Sequence, residues 1–121
     1  MSKVLIAIKS EILTDLLSSS LPEHDIHICR TGNDAFEQIE SLHPDILLLD
    51  LMLPDMDGIT VLRQSVFKPH VILALTNRAT PAVLQAAADV GVQNMVLIPC
   101  TIRHIIEHLN ALMEKAPSTE S

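Results

Sequence analysis

Five short apolar runs alternate along the chain with five stretches of helical spacing. The runs cover residues 4–8, 26–29, 45–49, 71–75 and 95–98. The first, third and fourth are almost continuously apolar. That pattern predicts strands buried on both faces, as in a parallel sheet. The second alternates polar with apolar residues and predicts an edge strand. Between the runs, Ile12, Leu13, Leu16 and Leu17 recur at helical spacing behind Ser10, a predicted N-cap. Thr31-Gly32-Asn33 opens a second helix with Ala35, Phe36, Ile39 and Leu42 inward, and a third covers residues 59–67 after Gly58. Thr80-Pro81 starts a fourth, with Val83, Ala86, Ala87 and Val90 inward and Gly91 as its stop. Thr101 caps a fifth, with Ile102, Ile105, Ile106, Leu109, Leu112 and Met113 as a wide apolar stripe. Five strands alternating with five helices predict an α/β fold, a doubly wound five-stranded parallel sheet with helices on both faces.

Composition narrows the function classes. A chain of 121 residues with 48% hydrophobic content makes one domain, residues 1–115, and the polar 116–121 stretch reads as a tail or linker. Two Phe, no Trp and no Tyr predict an aliphatic core. A formal charge of −7 argues against binding nucleic acid or an anionic membrane. No apolar run reaches the ~18 residues of a membrane span. Residues 4–8 are too short for a signal peptide, and Cys29 and Cys100 lack motif spacing. Together these predict a cytoplasmic protein with reduced thiols.

Candidate chemistry sits at the end of the third run. Ile46-Leu47-Leu48-Leu49 terminates on the carboxylate of Asp50, and Pro54 and Gly58 force a loop after it. A charge leaving a buried strand lies at the sheet's carboxyl edge, where open α/β sheets bind ligands. The segment from Pro44 to Gly58, PDILLLDLMLPDMDG, resembles the phosphoacceptor segment of response-regulator receiver domains of two-component signalling. The resemblance covers roughly residues 3–112. It implies a flavodoxin-like fold with strand order 2-1-3-4-5 and a phosphoacceptor at Asp50. It also implies a phosphate-contacting hydroxyl at Thr76, and a backbone carbonyl at Met52 as a metal ligand.

The same resemblance exposes departures. Receivers place two acids after the first strand to bind Mg²⁺; here Ile8 and Lys9 stand there, or Lys9 and Ser10 in the neighbouring register. Glu11 lies a turn into the helix. A Lys precedes the Pro after the fifth strand in the family; here Ile98 precedes Pro99. Met95 occupies the place of a common aromatic switch residue, and Asn77 that of a small residue. Asp50 and the Met52 carbonyl alone make a weak Mg²⁺ site at best, so no cofactor is expected. Lys9 is placed either to pair with Asp50 across the sheet edge or to point into solvent.

His104-Ile105-Ile106-Glu107-His108 spells H-x-x-E-H, a zinc-hydrolase motif. The apolar stripe puts both histidines on the outer face, and no third ligand is indicated. The reading is therefore a degenerate receiver, a pseudo-receiver. It is not an enzyme, it is impaired in phosphorylation, and it acts by protein contact through the helix 4–strand 5–helix 5 face. A slow phosphoacceptor is the alternative, and a zinc hydrolase using His104 and His108 comes third. The implied partners are a histidine kinase or phosphotransfer protein, an output domain and a second copy in a homodimer.

Overall fold

A computed structural model describes residues 2–115; the 116–121 tail or linker lies outside the described residues. The strands are β1 (Lys3–Ala7), β2 (Asp25–Cys29), β3 (Ile46–Asp50), β4 (Val71–Thr76) and β5 (Asn94–Leu97). The helices are α1 (Glu11–Ser20), α2 (Gly32–Leu42), α3 (Gly58–Gln64), α4 (Pro81–Asp89) and α5 (Ile102–Lys115). All strand pairings are parallel, in the order β2-β1-β3-β4-β5. This is the order that the receiver resemblance implied.

Strand alternation divides the apolar residues into two layers. Val4, Ile6, Ile8, Leu48, Leu73, Leu75 and Val96 face one layer, closed by Leu17 and Leu21 of the α1 region and by Ile105 and Leu109 of α5. Leu5, Ala7, Leu47, Leu49, Ile72 and Ala74 face the other, closed by Ala35 and Ile39 of α2 and by Val61 and Leu62 of α3. Because β1, β3 and β4 are covered on both faces, they are continuously apolar apart from Lys3, Asp50 and Thr76 at their ends.

The predicted caps Ser10, Thr80 and Thr101 hold, and Thr31 caps the helix it was expected to open. Ser10 Oγ accepts from the Leu13 amide at 3.2 Å, and Thr31 Oγ1 from that of Asp34 at 3.1 Å. Thr80 Oγ1 accepts from the Val83 amide at 3.3 Å, and Thr101 Oγ1 from that of His104 at 3.1 Å. Gly91 follows α4 with φ 97°, a left-handed value that favours glycine.

The first helix turns differently from its apolar spacing. Ile12 is 75% and Leu16 49% exposed, while Leu13, Thr14 and Leu17 face the sheet. Thr14 fits there because its hydroxyl donates to the Glu11 carbonyl at 2.8 Å, which satisfies the one polar group it buries.

Candidate functional site at the carboxyl edge of the sheet

The ends of β1, β3, β4 and β5 meet around Asp50. Its side chain is 2% exposed, so its oxygens need internal donors. Oδ1 accepts from the Met52 amide at 2.8 Å, and Oδ2 lies 3.5 Å from the Lys9 amide. Both contacts come from backbone.

Lys9 therefore reaches Asp50 through its amide, and its ammonium makes no ion pair among the described residues, whose ion pairs are His24–Glu23 and His27–Asp25. Of the two placements left open for Lys9, the structure has the side chain turned to solvent. A residue following a strand presents its amide to the neighbouring strand end whichever way its side chain turns, and the side chain of Lys9 is exposed.

Ile8 and Ile98 carry the apolar core up to this edge. Ile8 is 1% exposed, in the layer under α1 and α5, and the half-buried Ile98 packs against the same layer. Met95 packs against the opposite layer. Glu11 is exposed on the first turn of α1.

Thr76 closes β4 and is buried, with a hydroxyl that is already occupied. It accepts from the Arg78 amide and donates to the Arg78 carbonyl, both at 3.1 Å. Asn77 is exposed.

The loop from Asp50 to α3 is held by polar tethers. Asp57 caps α3, accepting from the Thr60 amide at 2.8 Å and from the Thr60 hydroxyl at 3.0 Å. Asp55 accepts from the Gly32 and Asn33 amides at 2.6 and 2.9 Å, tying the loop to the first turn of α2. These amides hold its carboxyl below the ordinary carboxylate value, against a smaller opposing effect of desolvation. Close approach explains two glycines. A Cβ at Gly58 would meet the Asp50 carbonyl oxygen at 2.9 Å, and one at Gly32 would meet Met56 Cβ at 2.7 Å. No local pattern in the sequence announces the role of Asp55, whose partners lie more than twenty residues away.

The family model described as the response regulator receiver domain matches residues 4–110. The chain belongs to the response regulator receiver family. Receiver domains interact with histidine kinases and output domains in two-component systems, as signalling modules. The chain is 25% identical to the transcriptional regulatory protein TrcR of Mycobacterium tuberculosis, over 98% of this chain and 48% of that protein. It thus spans about half the length of that curated relative. Among solved structures it resembles a CheY-like receiver domain protein from Methanospirillum hungatei, with TM-score 0.81 and 18% identity over 96% of this chain and 99% of the other. It also resembles the receiver domain of a signal transduction histidine kinase from Syntrophus aciditrophicus, with TM-score 0.80 and 23% identity over 100% and 96%.

Within this receiver domain, Asp50 stands at the phosphoacceptor position of the resemblance, with Thr76 across the edge. The histidine motif lies elsewhere, on α5. His104 is exposed, but His108 is half-buried, and its Nδ1 sits 2.8 Å from the Asn94 side-chain nitrogen on β5. The expectation that both rings lie on the outer face is corrected for His108, because it flanks the stripe next to the edge strand. Among the described residues no three His, Cys, Asp or Glu side chains are grouped to hold a metal. No helix among them is long and apolar enough to cross a membrane. Cys29 and Cys100 are free thiols, and burial with Asp34 nearby pushes Cys29 up to about 12.

Proposed function

We propose that this receiver domain signals without phosphorylation of Asp50. The observation that carries the reading is the apolar edge: Ile8 and Ile98 belong to the core layer where a receiver would offer an acid and a lysine. Phosphoryl transfer depends on positioning and on neutralising charge at the transferred group. Here Asp50 is already engaged by two backbone amides, and positions 8 and 9 after β1 supply no carboxylate. Mg²⁺ usually takes one or two carboxylates together with waters and phosphate, and a single carboxylate already held by amides makes a weak site for it. The domain is a binding module and not an enzyme.

Output then runs through protein contact. The exposed Leu84 of α4 and Leu97 of β5 on the α4–β5–α5 face support a partner there, an output domain or a second copy of the chain. The deciding experiment incubates the domain with acetyl phosphate and Mg²⁺ and reads the intact mass. The expected result is unmodified protein at times when an ordinary receiver is labelled. A phosphoryl adduct mapped to Asp50 would replace this reading with that of a slow phosphoacceptor.

A further inference from the structure

Beside Asp50, on the α3–α4 side of the sheet, lies a groove of about 340 Å³. That volume is within the range of small-molecule sites. Leu51, Ile59 and Val83 make it apolar, and Arg63 of α3 and Arg78 of the β4–α4 loop line it as well. Neither guanidinium has an ion-pair or hydrogen-bond partner among the described residues; Arg78 contributes only its backbone to Thr76. One carboxylate, that of Asp57, lines the groove and is spent on capping α3. The groove thus carries two cations against one anion, in a chain with a net charge of −7. A local reversal of charge over an apolar floor is what an organic anion needs: guanidiniums take a phosphate or carboxylate in bidentate fashion, and aliphatic side chains take the body behind it.

We propose that this groove binds a small organic anion, with a phosphate or carboxylate head between Arg63 and Arg78 and an apolar body on Leu51, Ile59 and Val83. Met52 and Thr76 line the same groove. The amide of Met52 holds Asp50, and the hydroxyl of Thr76 holds the backbone of Arg78. The ligand therefore touches the two loops that a phosphoryl group on Asp50 would address, and it stabilises whichever arrangement of them it binds better. This regulatory consequence rests on the phosphorylation-independent reading; the binding itself does not.

The test is an amide NMR titration of the domain with phenyl phosphate, with benzyl alcohol as the neutral counterpart. Saturable shifts at Met52, Thr76, Arg78 and Val83 are expected with phenyl phosphate alone. Arg63→Gln and Arg78→Gln should each weaken binding about tenfold or more. Arg103→Gln, the same charge change on the exposed face of α5, should leave it within about twofold. Should Arg78→Gln fail to fold, Arg78→Lys keeps the charge, loses the planar fork and should bind with intermediate affinity. Lack of saturation below about 10 mM, or equal weakening by Arg103→Gln, overturns the site. Failure here leaves the functional reading intact, and a phosphoryl adduct on Asp50 in acetyl phosphate sinks that reading while leaving the groove in place.

Discussion

Two stretches of one sheet edge have diverged in character. From Asp50 to Gly58 the loop is polar and closely tethered: the Met52 amide on Asp50, Asp55 on the start of α2, Asp57 on the start of α3, and glycines where backbones meet. Across the edge, the ends of β1 and β5 carry Ile8 and Ile98, continuous with the apolar layer beneath α1 and α5. The tethers stabilise through geometry that needs no ligand. Acids at the β1 end would repel one another and Asp50 until a metal arrived, and a lysine at the β5 end would put a cation where Ile98 now packs. The shape of the edge and its charge chemistry are separate properties, and the proposed reading has this chain keep the first.

The sharpest way to break the comparison is Ile8→Ala. If Ile8 belongs to the core, the truncation removes buried apolar surface and leaves a cavity, at a cost of about 2–5 kcal/mol. Urea unfolding measures it. A loss below about 0.5 kcal/mol, ordinary for a surface site, would mean that the β1 end is not part of the core and that the contrast is misdrawn.

A smaller and pH-dependent effect tests the tethered half. The Gly32 and Asn33 amides hold the Asp55 carboxyl below its ordinary value of 3.8. A depressed native pKa contributes stability that is present above the unfolded value and lost as pH falls through the native one. Asp55→Asn removes this contribution. The stability difference between parent and variant should therefore be steady above about pH 5 and shrink below about pH 4. Urea midpoints between these values and pH 2 read it directly. Parallel curves for the two proteins would show that the tether carries no charge-dependent stability.

Much of this was legible in the chain because strands and helices announce themselves by period. Residues 46–49 and 71–75 read as strands covered on both faces, and the hydroxyl residues Ser10, Thr80 and Thr101 read as caps, all from nearest neighbours in sequence. Position 50 was legible because a carboxylate ended an apolar run. The losses have a common physical cause. Ile12 and Leu16 form one column of α1, Leu13 and Leu17 the next, and apolarity alone does not say which column faces the sheet. The choice falls to the column beside Thr14, whose hydroxyl satisfies itself on its own helix. Asp55 and His108 find partners across the fold, and the direction of the Lys9 side chain is set by whatever surrounds the β1 end.

The smallest expected effect concerns that lysine, and it decides whether the apolar half of the edge is neutralised from within. Lys9 meets Asp50 through its amide at 3.5 Å, a contact that any non-proline residue at position 9 supplies. Its ammonium enters no ion pair among the described residues. Lys9→Met should then change stability by less than about 0.5 kcal/mol, and by the same amount at low and high salt. An ion pair would behave differently: a pair with a carboxylate as buried as that of Asp50 loses its partner at a cost well above the surface range, and any exposed part of that cost fades as salt screens it. Urea unfolding of both proteins in about 0.05 M and 1 M salt separates the cases. A loss above about 1 kcal/mol that shrinks in high salt would bring the ammonium to Asp50 and make this edge internally neutralised. Salt-independent equality leaves Asp50 held by backbone alone, so that the carboxylate is kept for the shape of its loop.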